Sequence, residues 1–157
     1  MKLKTICTFN SPLGPVSVVE SEGALVEVLF GIPEKSEAKT GTSPLLQEAE
    51  KQLREYFDGV RTQFDLPLQP EGTEFQKKVW QALLSIPYGE TRTYKEVAEL
   101  VGNVNATRAV GGANNKNPLG IVVPCHRVIG ANGKMVGYAG GVEFKEYLLQ
   151  LEKSHKK

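Results

Sequence analysis

The sequence predicts an α/β (α+β) chain in two parts. A small N-terminal antiparallel sheet with one helix is followed by a mostly helical C-terminal part with a winged-helix-like helix-turn-helix. Three observations predict it. The first 30 residues alternate β-rich runs with short turn sequences. After Pro67 to Gly72 the pattern becomes helical. Two of the later helical runs are joined only by Gly102-Asn103-Val104, as in a helix-turn-helix.

Taken in order, residues 3–9, 15–20 and 24–30 read as strands. Ser11-Pro12-Leu13-Gly14 and Ser21-Glu22-Gly23 supply the turns, and connections this short imply antiparallel pairing. Residues 31–42 are polar and read as a loop. A helix begins at Ser43, a suitable N-cap, with Pro44 in its first turn. Leu46, Ala49, Leu53 and Phe57 share one of its faces, and Asp58-Gly59 ends it. Residues 61–66 read as one more strand. Pro67 to Gly72 then divides a sheet-and-helix domain, 1–68, from a second domain, 73–157.

In the second domain Thr73 and Gln76 have capping-box spacing. Phe75, Val79 and Leu83 line one face of the helix they begin, and Pro87 stops it. Residues 91–101 and 105–113 supply the paired helices. Residues 121–123 read as a short apolar strand leading into Pro124-Cys125-His126. The last helix starts near Val142, with Phe144, Tyr147, Leu148 and Leu151 on its expected buried side.

Composition narrows the function classes. With 157 residues, 40% hydrophobic and 24% charged, the chain suits one ordinary domain or two small ones. It has no apolar run of about 18 residues, so no membrane span is expected. Residues 1–10 lack a sustained apolar core and a cleavage site, so no secretory signal is expected and the expected compartment is cytoplasmic. Cys7, Cys125, His126 and His155 lack the paired spacing of a zinc site, so no metal is expected. The net charge of +1 hides an asymmetry. Residues 1–100 carry 11 basic and 15 acidic side chains; residues 101–157 carry 8 and 3. Residues 101–142 hold no acid but do hold Arg108, Lys116, Arg127 and Lys134. A polyanion would meet no like charge there. A Gly/Asn-rich region that merely lacks acids would read the same.

Several residues carry possible chemistry. Cys125 lies between a proline and a histidine, and a nearby base raises the population of a reactive thiolate. In an extended chain neighbouring side chains face opposite ways, so Cys125 and His126 cooperate only if the chain turns there or a water bridges them. A third group should orient His126, and Glu146 or Glu152 on the last helix is available. Against this, a free cysteine is commonly a small buried hydrophobe. Arg108 sits near the start of the second paired helix, the part that faces DNA in such motifs. Gly111 and Gly112 cost that helix about 1 kcal/mol each relative to alanine. Close approach of a phosphate backbone or packing against a neighbouring helix would each justify them. Tyr94 offers a hydroxyl that can donate a proton, or is a half-buried aromatic with a wet tip. Asn117-Pro118 reads as an Asx-type turn.

Four blocks in register carry a resemblance. They are Thr107-Arg108-Ala109-Val110-Gly111-Gly112-Ala113 with Asn117-Pro118; Ile121-Val122-Val123-Pro124-Cys125-His126-Arg127-Val128; Gly137-Tyr138-Ala139-Gly140-Gly141; and Lys145-Glu146-Tyr147-Leu148-Leu149 with Glu152. From about Thr73 to Glu152 the chain resembles the 6-O-alkylguanine-DNA alkyltransferases, or methylated-DNA–protein-cysteine methyltransferases. The resemblance implies direct DNA repair. Cys125 would be the alkyl acceptor, His126 the base acting through a water, and Glu152 rather than Glu146 the carboxylate that polarises it. Tyr94 would help rotate the nucleotide and protonate the departing guanine. Arg108 would fill the gap left in the duplex, with Thr107, Gly111, Gly112 and Ala113 also facing DNA. Asn117 would hold the turn before the acceptor. Tyr138 and Ala139 would cover the flipped base, and the carbonyls of Cys125 and Val128 would read the guanine amino group.

It further implies minor-groove binding with small side chains pressed into a narrow groove, and a flipped base, since the target oxygen is out of reach within the stack. The product is a thioether, so each chain acts once and needs no cofactor. The implied partner is double-stranded DNA containing alkylated guanine, met by a monomer that is nucleoid-associated when bound. Two departures matter. Some relatives carry a serine where this chain has Ala139, and some carry a zinc site or a zinc-binding regulatory domain whose ligands are missing here. Repair without transcriptional adaptation is therefore expected. Three rival readings fit less well: a lesion-flagging protein has another residue in place of Cys125, a Cys-His hydrolase leaves Arg108 and the helix-turn-helix unexplained, and a regulator needs a dimerisation segment that the sequence does not display.

Overall fold

Alternating Val, Ile and Thr in the first thirty residues produce a meander, seen in a computed structural model that describes residues 3–34, 36–134, 138 and 141–156. Strands β1 (Lys4–Ser11), β2 (Gly14–Ser21) and β3 (Ala24–Phe30) pair antiparallel, as expected. Between β2 and β3 the two loop residues Glu22 and Gly23 both have positive φ, 52° and 81°. That mirror-image turn matches the right-handed strand twist, and glycine supplies half of it without strain. Residues 31–42 are not all loop. Lys39–Thr40 form a fourth strand, β4, parallel to β1, giving the order β3-β2-β1-β4. Two exposed polar residues offer no hydrophobic period to read.

Helix α1 (Pro44–Phe57) starts where the sequence places it: Ser43 is extended and its Oγ accepts the Leu46 N–H at 3.1 Å. Its buried face is Leu46, Ala49, Leu53 and Phe57, joined by Gln52 and Tyr56. It packs against β1 and β2. Ile6, Val19 and Val26 form a second cluster with Ala38.

Residues 61–66 are not a strand; no ladder runs through them. Their backbone is held by α1 side chains instead. Gln52 accepts the Asp65 N–H through Oε1 at 2.9 Å and donates Nε2–H to the Asp65 carbonyl at 3.1 Å. Arg61 pairs with Glu55. Only Leu68 bridges to the sheet, beside Leu25. A buried glutamine that supplies both partners of one residue removes the need for a neighbouring strand.

Packing groups residues 1–71 with Pro118–Val122 as one unit, and Gly72–Asn117 with Val123–Lys157 as another. In the first unit the Pro118 carbonyl accepts the Val28 N–H and Gly120 N–H donates to the Val28 carbonyl. Residues 121–123 are buried as expected but form a turn, not a strand. Ile121 has φ 69°, incompatible with extended chain, and Val122 N–H reaches back to Gly120 O at 2.7 Å. The apolar run records burial alone.

The second unit opens with α2 (Glu74–Leu83), capped reciprocally by Thr73 and Gln76. Gly72 precedes it because a Cβ there would lie 2.5 Å from the Trp80 ring. Short strand β5 (Arg92–Thr93) leads into α3 (Tyr94–Leu100), which has its own capping box, Thr93 with Glu96. Helix α4 (Thr107–Asn115) follows. Helices α2, α3 and α4 pack together, and the Trp80 indole N–H donates to the Ala113 carbonyl at 2.8 Å. Strand β6 (Val128–Ile129) pairs parallel with β5, and α5 (Val142–His155) closes the unit. No helix among the described residues is long and apolar enough to cross a membrane.

Replacing Gln52 by leucine should lower stability by about 1–3 kcal/mol, the cost of unpaired buried backbone groups. Urea denaturation measures it. A change under about 0.5 kcal/mol, usual for surface substitutions, would mean that the 61–66 segment is held by something else.

Candidate active site

The chain turns where cooperation of Cys125 and His126 requires it. Cys125–Arg127 form a single 3-10 turn after Pro124. Cys125, His126 and Arg127 are all buried, His126 completely. Three buried polar side chains in a row are tolerable only if each finds partners.

Glu152 supplies them. Its Oε2 lies 2.6 Å from His126 Nε2. Arg127 grips both oxygens, Nε to Oε1 at 2.8 Å and Nη2 to Oε2 at 3.0 Å, and sends Nη1 to the Ile86 carbonyl at 2.7 Å. The Gly89 N–H donates to Oε1 at 3.1 Å. Burial alone would raise the Glu152 pKa, but the hydrogen bonds from His126 and Arg127 and the Arg127 charge outweigh it and hold the carboxyl well below its ordinary range. Glu146, the alternative, is exposed.

An ionised carboxylate only accepts hydrogen bonds. His126 must therefore donate through Nε2. Burial lowers the His126 pKa, against the opposing pull of Glu152, so the ring is neutral near neutral pH. A neutral imidazole protonated on Nε2 has an acceptor at Nδ1, which is the state a general base needs.

Burial raises the Cys125 thiol to a pKa of about 11, while a hydrogen bond from Asn117 and the charge of Lys145 oppose the rise. A resting thiolate is thus scarce at neutral pH. Asn117 also donates Nδ2–H to the Val123 carbonyl at 2.8 Å, which ties down the chain just before the Cys125–Arg127 turn. The Cys125 carbonyl already accepts the Val128 N–H and, at 3.3 Å, Asn114 Nδ2–H. A guanine amino group would have to share it. Val128 is fully buried in β6.

Tyr94 begins α3 and is half-buried; burial raises its hydroxyl pKa. Lys145 Nζ stands 5.9 Å from its ring centre. On α4, Arg108 and Gly112 are exposed, and Thr107 and Gly111 partly so. Ala113 is a correction to the DNA-facing set. Its side chain is buried on the face shared with Val110 and Asn114, and its carbonyl serves Trp80. The glycines are not explained by packing. Among the described residues a Cβ on Gly112 would meet nothing within 4 Å, and one on Gly111 only the Tyr94 ring at 3.9 Å. Tyr138 is described, its hydroxyl buried; Ala139 lies outside the described residues. Among the described residues no group of three or more His, Cys, Asp or Glu side chains is placed to hold a metal.

Three participants escaped the sequence reading: Arg127, Lys145 and Asn114. Tyr147, expected on the buried face of α5, is 38% exposed. The buried face is Lys145, Leu148 and Glu152. Their spacing of three and seven was legible, but a search for apolar periodicity passes over charged residues.

Two family models together match most of the chain. The "6-O-methylguanine DNA methyltransferase, ribonuclease-like domain" matches residues 5–70, and the corresponding "DNA binding domain" matches residues 74–154. A methylated-DNA–protein-cysteine methyltransferase of Methanosarcina acetivorans is 53% identical over 150 residues, covering 93% of this chain and 96% of the relative. One from Mycobacterium tuberculosis is 47% identical over 150 residues, covering 94% and 91%. The crystal structure of M. tuberculosis O6-methylguanine methyltransferase superposes with a TM-score of 0.91 at 43% identity, covering 99% of this chain and 96% of the other. M. tuberculosis OGT solved in complex with DNA gives 0.89 at 45% identity, covering 96% and 94%.

Glu152→Gln should destabilise the protein by about 3–5 kcal/mol at pH 7, because it strands the buried Arg127 charge. The folded Glu152 pKa lies below its ordinary value of 4.5. Its contribution is therefore present above that pH and lost as pH falls towards the folded value. Denaturation at pH 7 and pH 3 should show the gap between wild type and variant narrowing in acid. A constant gap would mean that the carboxylate charge is not what stabilises.

Proposed function

The chain belongs to the 6-O-methylguanine DNA methyltransferase family and repairs DNA by alkyl transfer to cysteine, and from that premise we propose that Cys125 is the acceptor and that His126, polarised by Glu152, is its base. The observation that carries the reading is the buried His126–Glu152 contact of 2.6 Å one residue from the thiol. Cys125 gives its proton, through a water, to the imidazole as sulfur attacks the alkyl carbon. The carbon–sulfur bond forms while the carbon–oxygen bond breaks. Guanine takes a proton from Tyr94 and leaves as the normal base. The imidazolium proton returns to the phenol through solvent, so the net change moves the thiol proton to guanine. A thioether has no hydrolytic route back with ordinary side chains, so each chain acts once, without a cofactor.

The partner is DNA, and the element that meets it is α4. Gly112 faces open space and Gly111 has ordinary room, so the fold itself does not demand two helix-weakening residues there. Close approach of a nucleic-acid backbone to the minor-groove face does. Arg108, exposed beside them, enters the duplex and takes the place of the flipped nucleotide. Val128 and Tyr138 line the base pocket, and Asn117 fixes the turn that presents the thiol. Residues 1–68 serve as the sheet-and-helix domain and 73–157 as the DNA-binding and acceptor domain. The protein works as a monomer in the cytoplasm, on nucleoid DNA.

Incubation with a duplex carrying one 6-O-methylguanine should add a single methyl per chain, mapped to Cys125 by peptide mass, and none to Cys125→Ser. Folded protein that binds the lesion but gains no mass would be a recognition protein instead. Unstacking a base costs a few kcal/mol, so Arg108→Ala should slow transfer from the duplex by about tenfold or more while sparing transfer from the free alkylated base. Equal loss on both substrates would remove Arg108 from the flipping step.

A further inference from the structure

Arg127 follows His126 in the buried turn, and its guanidinium reaches three acceptors. Nε and Nη2 donate to the two Glu152 oxygens at 2.8 and 3.0 Å, and Nη1 donates to the Ile86 carbonyl at 2.7 Å. The guanidinium carbon stands 5.7 Å from the centre of the Tyr88 ring. Gly89, the next residue, donates its N–H to Glu152 Oε1 at 3.1 Å. The segment from Ile86 to Gly89 thus holds both members of the ion pair, and the planar fork is fixed in one orientation.

Glu152 Oε2 is the shared atom. It lies 2.6 Å from His126 Nε2 and 3.0 Å from Arg127 Nη2. A guanidinium keeps its proton in a protein, whereas an imidazole gains or loses one near neutral pH. With Arg127 in place, the carboxylate has a permanent cation and its charge is matched while the ring is neutral. Without it, a buried carboxylate at 2.6 Å favours the imidazolium. A ring protonated on both nitrogens has no acceptor for the Cys125 proton. The other titratable groups around the ring are Cys125 on its own turn, Tyr88 beside Arg127, and Lys145 on α5, whose charge also opposes protonation of His126. Helix α2 packs on the same turn and buries Val79, Trp80 and Leu83, none of them titratable.

We propose that Arg127 is a positioning residue for alkyl transfer: a permanent counter-ion at Glu152 that leaves His126 neutral at rest and able to take the Cys125 proton. It acts through Glu152 and needs no contact with the substrate. The inference rests on the reading of His126 as the base. It gives the fork a part in the chemistry beyond its hold on the fold, because an apolar side chain of similar size could fill the space but could not set the charge of the neighbouring ring.

His126 and His155 are the only histidines, and His155 is exposed, so nitrogen-15 shifts follow each ring separately in the full chain. In the wild type, His126 should titrate below its ordinary value of 6.5. Arg127→Met should raise that midpoint by about one pH unit or more, as loss of one adjacent cation does. The acid limb of single-turnover transfer from a 6-O-methylguanine duplex should move up by the same amount. Arg127→Lys keeps the charge and loses the fork, so its midpoint and acid limb should stay near those of the wild type even as stability falls. Arg127→Gln, neutral but still able to donate to the carboxylate, serves where the methionine variant does not fold. A wild-type midpoint above 6.5, an unmoved midpoint in the neutral variant, or an equal rise in the lysine variant overturns the inference. So does a rate lost equally at every pH, which is the mark of a structural role alone. A His126→Gln protein as fast as wild type would overturn it at an earlier step, by removing the reading of His126 on which it rests, whatever the titrations give.

Discussion

A carboxylate with no exposed surface organises the second half of this protein. Glu152 is bound by the Arg127 fork, the His126 ring and the Gly89 N–H, so four donors from two chain segments converge on two oxygens. Taking such charges from water costs several kcal/mol per ion, and only dense pairing offsets it. That requirement fixes geometry. The 3-10 turn must present His126 and Arg127 to the same side, α5 must bring Glu152 to it, and the Ile86 carbonyl must occupy the outer guanidinium nitrogen. Cys125 is carried on the same turn, so its position follows from the ion cluster.

The same cluster decides protonation. Glu152 stays ionised because its donors outweigh its burial, and an ionised Glu152 dictates which nitrogen of His126 carries the proton. Burial then keeps the ring neutral and the Cys125 thiol protonated. A protonated thiol protected from solvent and a neutral base beside it make a resting state that is inert until an alkylated base supplies the electrophile. For a protein that is consumed by one reaction, inertness at rest has evident value.

Much of this was legible in the sequence, unevenly. The meander showed itself because β-branched runs and short turns act locally, and α1 because Ser43-Pro44 caps a strong apolar face. Local physics also announced Thr73 and Gln76. Misreadings occurred where tertiary partners replaced local ones. Residues 61–66 borrow their hydrogen bonds from Gln52, and residues 121–123 are apolar because they are buried in a turn. At the site, Cys125 and His126 stand out as a candidate reactive dipeptide, but their neighbours in sequence leave the choice between Glu146 and Glu152 open; the family resemblance implies Glu152, and in the fold Glu152 lies against His126 while Glu146 is exposed. Arg127, Lys145 and Asn114 were hidden for a common reason. Each is a buried polar residue with a partner distant in sequence, and a search for apolar periodicity passes over it.

The most direct test of the account is the tautomer of His126, read from the ring nitrogen-15 shifts of the folded, unalkylated protein at pH 7. The account predicts a neutral ring with its proton on Nε2, bound to Glu152, and a bare Nδ1. A ring protonated on Nδ1 with Nε2 bare would mean that Glu152 holds a proton, and a doubly protonated ring would mean that no base stands ready. Either result would contradict the ion cluster as the source of the site's chemistry.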